Sequence, residues 1–407
     1  MSIERFIRRN ITLGEQKADT PSTPATATYE IIETYKKVMN VLPALHQIPK
    51  SRESPPKMQV FHFIASLSLL FSTASTSPIS SSNHSSDGNA LLNTVYQFPN
   101  ETWVENIAVR SNGKLLVALL FKPEVWQIDP VKHAAELVYT FPAANCTLGI
   151  AEYGPDMFGV NVGNFTPSGG VQGSYSVWSL DLGQKYHGSP PKHTSRPHVV
   201  ASKILDIPLA NFLNGLAAPP LAPGVLFSAD SGAGVIYRVD TKSGTWSTFL
   251  DDPSLKPNAS AVPLLGVNGL QVRDNYLYYD NTFQTPLFAR VPFHPTTAKV
   301  SGPVEVLFDT HTYPLNAGHG QGDDFSLDKE GNVWLATASS SLVKLDLRTQ
   351  QQTLIAGEPS SFALVGSTAT KFARNGKTLY ITTNGGISDP VDGIEGGKVV
   401  SLDTSML

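Results

Sequence analysis

Residues 323–336 read Asp-Asp-Phe-Ser-Leu-Asp-Lys-Glu-Gly-Asn-Val-Trp-Leu-Ala, a short strand, a turn containing glycine and a second apolar strand. A third strand, Leu342–Asp346, follows and ends in aspartate. A similar pattern recurs five more times, beginning at Glu105, Leu148, Asn214, Asn268 and Ser367. Repeats of ~40–50 residues with about four strands each are typical of a propeller, in which neighbouring blades cover each other's apolar faces. We therefore predict an all-β fold, a six-bladed β-propeller with four-stranded antiparallel blades.

The composition indicates a folded protein and narrows its partners. The chain has 407 residues, of which 41% are hydrophobic and 16% charged, with a formal net charge of −4. This apolar content can fill a core, and no broad basic field is available for nucleic acid. No apolar run reaches the ~20 residues that a membrane-spanning helix needs. Cys146 is the single cysteine, which excludes an intrachain disulfide and a cysteine-based metal site.

The N-terminal part differs from the repeats. We expect the natural start to be Met58, with the preceding residues an extension that an error in the gene model would explain. A mostly apolar run then leads to the small residues Ser72 and Ala74, the pattern of a secretory signal peptide; a buried helix is the alternative. The predicted organisation is an extension at 1–57, a secretory signal peptide at 58–74, a Ser-rich linker at 75–92 and the propeller at 93–407.

Glycosylation sequons support a route through the secretory pathway. Five Asn-x-Ser/Thr sequons follow the predicted signal peptide, at Asn83, Asn100, Asn145, Asn164 and Asn258. Such sequons mark surface positions of secreted proteins. We therefore expect a secreted glycoprotein.

The beginnings of the repeats are the place to look for chemistry. The inner strand of each blade lines the central channel, so the first residue of each repeat points toward one shared opening. Two carboxylates and two amides stand there: Glu105, Asn214, Asn268 and Asp323. Oxygen ligands of this kind suit a hard divalent cation, Ca²⁺ before Mg²⁺, Mn²⁺ or Zn²⁺, and no organic cofactor is expected. The alternative is that Asn-Gly and Asp-Asp mark tight turns, which is their commonest meaning.

These residues resemble a known family, the senescence-marker-protein/gluconolactonase group of six-bladed propellers. Residues 323–336 are similar to its Asp-Gly-Met-x-x-Asp-x-Glu-Gly-x-Leu-Trp-Val-Ala motif, and Asn268-Gly269-Leu270 is similar to its Ser-Asn-Gly-Leu. The resemblance covers residues 95–405. It implies that four residues bind a divalent metal: Glu105, Asn214, Asn268 and Asp323. It also implies that Asp323 is the general base or proton shuttle of lactone hydrolysis.

The chain departs from the family at the position that contacts sugars. Sugar-lactone hydrolases usually carry Arg two residues before the Asn of the third repeat, where this chain has Phe212. An aromatic ring offers an apolar face in place of a hydrogen-bond donor. We expect further substrate-binding side chains at Leu213, Leu265, Phe283 and Phe325, unless these belong to the blade cores. A hydrophobic small molecule is then a better substrate than a polyhydroxylated sugar lactone.

Two further segments resemble the secreted fungal branch of this family. They are Trp103–Arg110, which reads Trp-Val-Glu-Asn-Ile-Ala-Val-Arg, and Thr382–Gly386, which reads Thr-Thr-Asn-Gly-Gly. The branch includes natural-product hetero-Diels–Alderases, so the resemblance implies an enzyme of fungal secondary metabolism. The reaction would join a tropolone-derived quinone methide to a sesquiterpene such as humulene.

The candidate catalytic residues for such a reaction are Asp323, Asn268, His319 and Tyr279, which could polarise the quinone-methide oxygen or protonate a leaving hydroxyl. Two alternatives remain open. One is a metal-dependent lactonase, in which the metal polarises the ring carbonyl and Asp323 assists attack by water. The other is a non-catalytic binding propeller. The sequence does not indicate the oligomeric state.

Overall fold

The computed structural model describes the propeller of this chain. The described residues are Asn89 and the ranges 91–166, 168–183, 199–260, 263–283, 287–309, 321–359, 361–390 and 393–407. The predicted extension, signal peptide and most of the linker lie outside them, as do Asn83 and His319.

The described strands form six four-stranded antiparallel sheets, which confirms the predicted fold. The first described strand is β1 (Leu92–Gln97). Blade 1 contains β2 (Val104–Val109), β3 (Leu115–Leu119), β4 (Glu124–Asp129) and β5 (Ala134–Thr140). Blade 2 contains β6 (Cys146–Gly154), β7 (Met157–Gly163), β10 (Ser176–Asp181) and β11 (Val200–Asp206), with the small hairpin β8 (Phe165–Thr166) and β9 (Gly169–Gly170) inserted. Blade 3 contains β12 (Leu213–Ala217), β13 (Val225–Asp230), β14 (Val235–Asp240) and β15 (Thr245–Leu250).

The other three blades repeat this order. Blade 4 contains β16 (Val267–Arg273), β17 (Tyr276–Asn281), β18 (Leu287–Pro292) and β19 (Glu305–Asp309). Blade 5 contains β20 (Gly322–Leu327), β21 (Val333–Thr337), β22 (Ser341–Asp346) and β23 (Gln351–Gly357). Blade 6 contains β24 (Ser367–Phe372), β25 (Thr378–Thr383) and β26 (Lys398–Asp403). The described part of the chain also contains two single-turn 3₁₀ helices, at Pro253–Leu255 and Thr404–Met406. Among the described residues, no helix is long and apolar enough to cross a membrane.

The ring is closed by the two ends of the propeller. β1 pairs antiparallel with β26 and so becomes the fourth, outermost strand of blade 6. Closure of this kind completes the fourth strand of blade 6 and ties the first blade to the last. The repeat pattern does not reveal it, because β1 precedes all six repeats in the chain.

The core is divided among the blade interfaces. The described buried side chains form six hydrophobic clusters, and each lies between two neighbouring blades. Phe227 of β13 and Leu277 of β17, for example, belong to the cluster between blades 3 and 4. The outer strands contribute little: in β11 and β15 most side chains are exposed or half-buried, which explains why the repeat pattern does not mark them.

Every inner strand carries an extra residue near its start relative to its partner strand, and β6 carries a second one between Glu152 and Gly154. Register shifts occur near the starts of β2, β6, β12, β16, β20 and β24. A bulge of this kind bends the strand and changes where its side chains point. Glu105, Asn214, Asn268 and Asp323 lie within four of these bulges, so the fold presents them at equivalent places around the channel.

Close packing of the inner strands can be tested at Gly215. A Cβ atom there would lie 2.2 Å from the backbone oxygen of Asn268 on the next blade, so Gly215→Ala must force two inner strands apart. We expect the free energy of unfolding, measured by urea denaturation, to fall by about 1–3 kcal/mol. Gly154→Ala is the matched control on another inner strand, since its Cβ would lie 3.4 Å from Met157 Sδ, an ordinary contact. Equal losses in the two variants would contradict this account.

Candidate active site

Three of the four predicted polar residues interact at one end of the channel, the end at which the inner strands begin, called here the mouth. Asn268 Nδ2 donates a hydrogen bond to Asp323 Oδ1 and another to Thr282 Oγ1, each at 2.9 Å. Glu105 lies close enough to Asp323 for their charges to repel. Asn214 occupies the equivalent place on β12 and is buried.

The two carboxyl groups predicted at the mouth, those of Glu105 and Asp323, ionise less readily than exposed carboxyl groups. Burial raises the pKa of Glu105 to about 7, with a smaller contribution from the negative charge of Asp324, while a hydrogen bond from Trp103 opposes the shift. The pKa of Asp323 is raised well above its ordinary value, first by burial and then by repulsion from Glu105 and other acids. Raised pKa values of this kind are common at functional sites.

The channel also contains polar residues that the repeat pattern does not predict. Asp324 accepts hydrogen bonds from Asn106 Nδ2 at 2.7 Å and from the backbone amide of Phe325 at 2.7 Å. Burial raises the pKa of Asp324, and the positive charge of Lys371 opposes that shift. Asp324 is the second residue of the Asp-Asp pair, and Asn106 directly follows Glu105, so proximity to the predicted residues is the signal that could have found them.

Asp280 is the remaining buried acid of this cluster. Its Oδ1 accepts the backbone N–H of Gly269 at 2.7 Å, whereas its Oδ2 is buried without a hydrogen-bond partner among the described residues. Burial and the charge of Asp324 raise its pKa well above the ordinary value. Asp280 lies on β17, the second strand of its blade, and for this reason a search confined to the first residues of each repeat misses it.

The side-chain oxygen atoms at the mouth are of the type that binds a hard cation. Asn268 Oδ1 is buried and has no hydrogen-bond partner in the described part of the chain, and the same side chain contacts Asp323. An open acceptor beside carboxylates fits the oxygen-only preference of Ca²⁺. The described residues contain no group of three or more His, Cys, Asp or Glu side chains placed to hold a metal ion. A cation here would therefore need the amide oxygens as well as the two acids.

The structure corrects three of the predicted mouth residues, Tyr279, Phe325 and Leu213. Tyr279 is fully buried in the core between blades 3 and 4, where its hydroxyl shares a 2.6 Å hydrogen bond with Ser254 Oγ. Phe325 is fully buried between blades 4 and 5, and its ring packs edge-on against Phe288 at 4.7 Å. Both side chains follow the alternation of their strands into a blade interface, so the prediction that they face substrate is wrong.

The other predicted apolar residues lie at or below the mouth. Leu213 is fully buried and serves the core between blades 2 and 3, so it does not contact substrate directly. Phe212 belongs to the same cluster and is 5% exposed, and Leu265 is half-buried against it. Phe283 is half-buried after β17.

A row of aromatic rings, here called the aromatic row, crosses the loops of blades 1 to 3 at the mouth. It consists of Trp103, Phe121, Phe165 and Phe212. The ring centroids of successive members are 5.7, 5.8 and 4.9 Å apart. Trp103 begins the row beside the acids, because its indole N–H donates to Glu105 Oε2. The sequence predicts only Phe212 of these four as substrate-binding, from its place two residues before Asn214.

A separate cavity of about 260 Å³ lies at the opposite end of the channel. Its lining includes Glu152, Gln271, Lys371 and Arg374, and none of the predicted site residues. Lys371 Nζ donates to Gln271 Oε1 at 3.3 Å, and Arg374 pairs with Glu152. Its polar groups are largely paired with each other, so we place the active site at the mouth.

The predicted glycosylation sites differ in exposure. Asn100 and Asn258 are exposed, and Asn164 is half-buried. Asn145 is exposed, but its side chain donates to the backbone oxygen of Phe165 at 3.0 Å and accepts from the backbone N–H of Phe165 at 2.7 Å. Glycosylation and secretion stay predictions.

Comparison with known proteins shows two kinds of similarity. No protein-family model matches the chain. A curated protein from Phoma sp is 26% identical over 343 residues, covering 76% of this chain and 90% of the relative. One from Sarocladium schorii is 26% identical over 336 residues, covering 71% and 77%. Both are named, provisionally, as hetero-Diels-Alderases.

Among solved structures, a luciferin-regenerating enzyme superposes on this chain with a TM-score of 0.52 and 15% identity, covering 77% of this chain and 94% of that one. At this identity the likeness shows the fold alone. The chain thus resembles the two curated relatives in sequence and the luciferin-regenerating enzyme in fold.

The ionisation of Glu105 predicts a pH dependence of stability. Its pKa is about 7 in the folded chain and near the ordinary glutamate value of 4.5 when unfolded, so between these values the folded state binds more protons. The free energy of unfolding should therefore fall as the pH rises from about 5 to about 8 in protein freed of divalent cations with EDTA. Urea denaturation across this range should show a weaker fall in Glu105→Gln, which cannot ionise.

The exposed Glu101→Gln is the control for that measurement and should retain the wild-type dependence. Identical pH profiles for wild type and Glu105→Gln would show that the carboxyl of Glu105 ionises as an exposed group does.

Proposed function

We propose that the protein is an enzyme of fungal secondary metabolism that catalyses a hetero-Diels–Alder cycloaddition between a tropolone-derived quinone methide and a sesquiterpene such as humulene. The observation that carries the proposal is the direct contact between an acidic, hydrogen-bonding cluster and an aromatic surface at one mouth. Trp103 belongs to both, since it donates to Glu105 and packs against Phe121. Such a site suits a reaction that joins one polar and one apolar partner. The sequence similarity to two proteins named provisionally as hetero-Diels-Alderases supports the same choice.

The reaction needs positioning rather than a nucleophile. The exocyclic carbon of the quinone methide forms a C–C bond to one alkene carbon, its oxygen forms a C–O bond to the other, and no atom is lost. Holding both partners in a near-attack arrangement removes a large part of the entropic barrier. A hydrogen-bond donor at the quinone-methide oxygen stabilises the charge that develops there.

The polar residues of the mouth supply these hydrogen bonds. Glu105 and Asp323 donate when they carry a proton, whereas both N–H groups of Asn268 Nδ2 are already donated to Asp323 and Thr282. Asp323 in its acid form can also protonate the hydroxyl of a precursor alcohol. Water then leaves, the tropolone hydroxyl gives up a proton in exchange, and the quinone methide is formed beside the alkene.

A divalent cation held by Glu105, Asn214, Asn268 and Asp323 would supply Lewis-acid polarisation of the same oxygen. The open acceptor of Asn268 supports this addition to the proposal.

Lactone hydrolysis is the second candidate function. The hydrogen bond between Asn268 and Asp323 places an acid beside an amide where a ring carbonyl would bind, and Asp323 would assist attack by water. The aromatic row favours a hydrophobic lactone over a sugar lactone.

The two functions give different products in one experiment. The full chain, produced in a secreting fungal host, is incubated with a tropolone quinone-methide precursor plus humulene, and separately with hydrophobic lactones, with and without EDTA. We expect an adduct with the summed mass of quinone methide and humulene, formed faster than in buffer and as one stereoisomer. EDTA-sensitive ring opening without any adduct would instead establish a lactonase.

Removing the acid at the mouth tests the site assignment. Asp323→Ala should slow adduct formation about tenfold to a hundredfold, because one polarising and proton-donating group is lost. The exposed Asp206→Ala is the control and should keep the wild-type rate. A wild-type rate in Asp323→Ala would place the chemistry elsewhere.

A further inference from the structure

The aromatic row contains an exposed ring on a backbone of unusual conformation. Phe121 lies in the loop between β3 and β4 and is 37% exposed. Its backbone has φ 58°, the left-handed region that a bulky residue adopts only at a cost. An exposed ring on a strained backbone persists where the surroundings enforce it, and such positions cluster at ligand sites.

The loop around Phe121 is tied to the acidic end of the row. The backbone N–H of Leu120 donates to the carbonyl of Trp103 at 3.1 Å. The ring of Trp103 packs edge-on against that of Phe121, and its N–H is committed to Glu105. The orientation of the Phe121 ring is therefore set relative to the carboxyl of Glu105.

Local contacts also hold Phe165 and Phe212, the other two members of the aromatic row, in place. The side chain of Asn145 makes two hydrogen bonds to the backbone of Phe165, at 2.7 and 3.0 Å. A Cβ atom at Gly170 would lie 2.9 Å from Phe212 Cβ, so the β8–β9 hairpin packs closely against the base of the Phe212 side chain. Rigid aromatic groups of this kind bind apolar ligands without a large loss of conformational freedom.

We propose that the aromatic row is the docking surface for the alkene partner, an unfunctionalised terpenoid hydrocarbon, with Phe121 as the ring that determines its affinity. The inference rests on the proposed function and deepens it by dividing the mouth between two substrates. The N–H of Trp103 is the one polar side-chain donor of the row, and Glu105 already accepts it. The row can therefore bind a ligand through apolar contacts alone. It ends where the polarised oxygen of the other partner binds.

Direct binding of humulene tests this division. Equilibrium dialysis of the full chain against humulene, with quantification by gas chromatography, measures Kd without any reaction. Phe121→Ala should raise the Kd of humulene about tenfold, because most of one aromatic contact is lost. The same variant should raise the KM for humulene in the cycloaddition and leave the KM for the quinone-methide precursor unchanged.

Two further variants separate docking from folding. Phe372→Ala removes a half-buried phenylalanine that lines the cavity at the opposite end and should leave the Kd of humulene unchanged. Phe121→Leu keeps an apolar side chain on the same backbone and should restore part of the lost affinity. Thermal unfolding of each variant confirms that it folds.

The outcomes distinguish this inference from the proposed function. If the adduct forms while Phe121→Ala leaves the Kd and KM for humulene unchanged, the docking surface is wrong and the function stands. If humulene binds through Phe121 but no adduct forms, the cycloaddition is wrong and the apolar docking surface stands. Failure of the wild-type protein to bind humulene overturns the inference.

Discussion

Burial of the blade faces is the constraint on which the rest of the molecule depends. A four-stranded sheet has two faces, and a single blade cannot cover its own apolar side chains. The six hydrophobic clusters each lie between neighbouring blades, so every blade requires two neighbours and the ring must close. Pairing of β1 with β26 meets that requirement by adding a strand from the start of the propeller to the last blade.

Closure of the ring also creates the acidic cluster. Because the six inner strands surround one channel, residues that are far apart in the chain, such as Asn106 and Asp324, come within hydrogen-bond distance. Burying several carboxylates together costs stability, and the raised pKa values of Glu105 and Asp280 express that cost. Two buried acceptors, Asn268 Oδ1 and Asp280 Oδ2, have no partner among the described residues. Because this arrangement costs stability, we assign the chemistry to it.

The mouth combines two kinds of structure with different tolerance for change. Its acids and amides lie on inner strands, apart from Asp280 on the second strand β17, and the blade packing enforces the positions of these strands. Its aromatic row comes from loops, anchored locally by contacts such as that between Asn145 and Phe165. Loops on a rigid scaffold can change without loss of the fold. We therefore expect the polar centre to define the type of reaction and the row to define which apolar partner is accepted.

The periodic features of the chain were readable without the structure. Alternating strands, turn residues and the recurrence of one unit predicted the six blades and most of their first three strands. This succeeds because strand formation and blade packing both require apolar residues at the same positions of each repeat. The same periodicity placed Glu105, Asn268 and Asp323 around one channel. The fourth strands, mostly exposed, and the closing strand β1 carry too little pattern to be assigned.

The direction of individual side chains and the contacts between distant loops could be determined only from the three-dimensional structure. Whether Tyr279 and Phe325 face the mouth or a blade interface depends on strand register, which a bulge shifts by one residue. Asp280 joins the acids through its place on a second strand, and Phe121 meets Phe165 across two blades. Such meetings arise from the closed ring and have no counterpart in the local sequence.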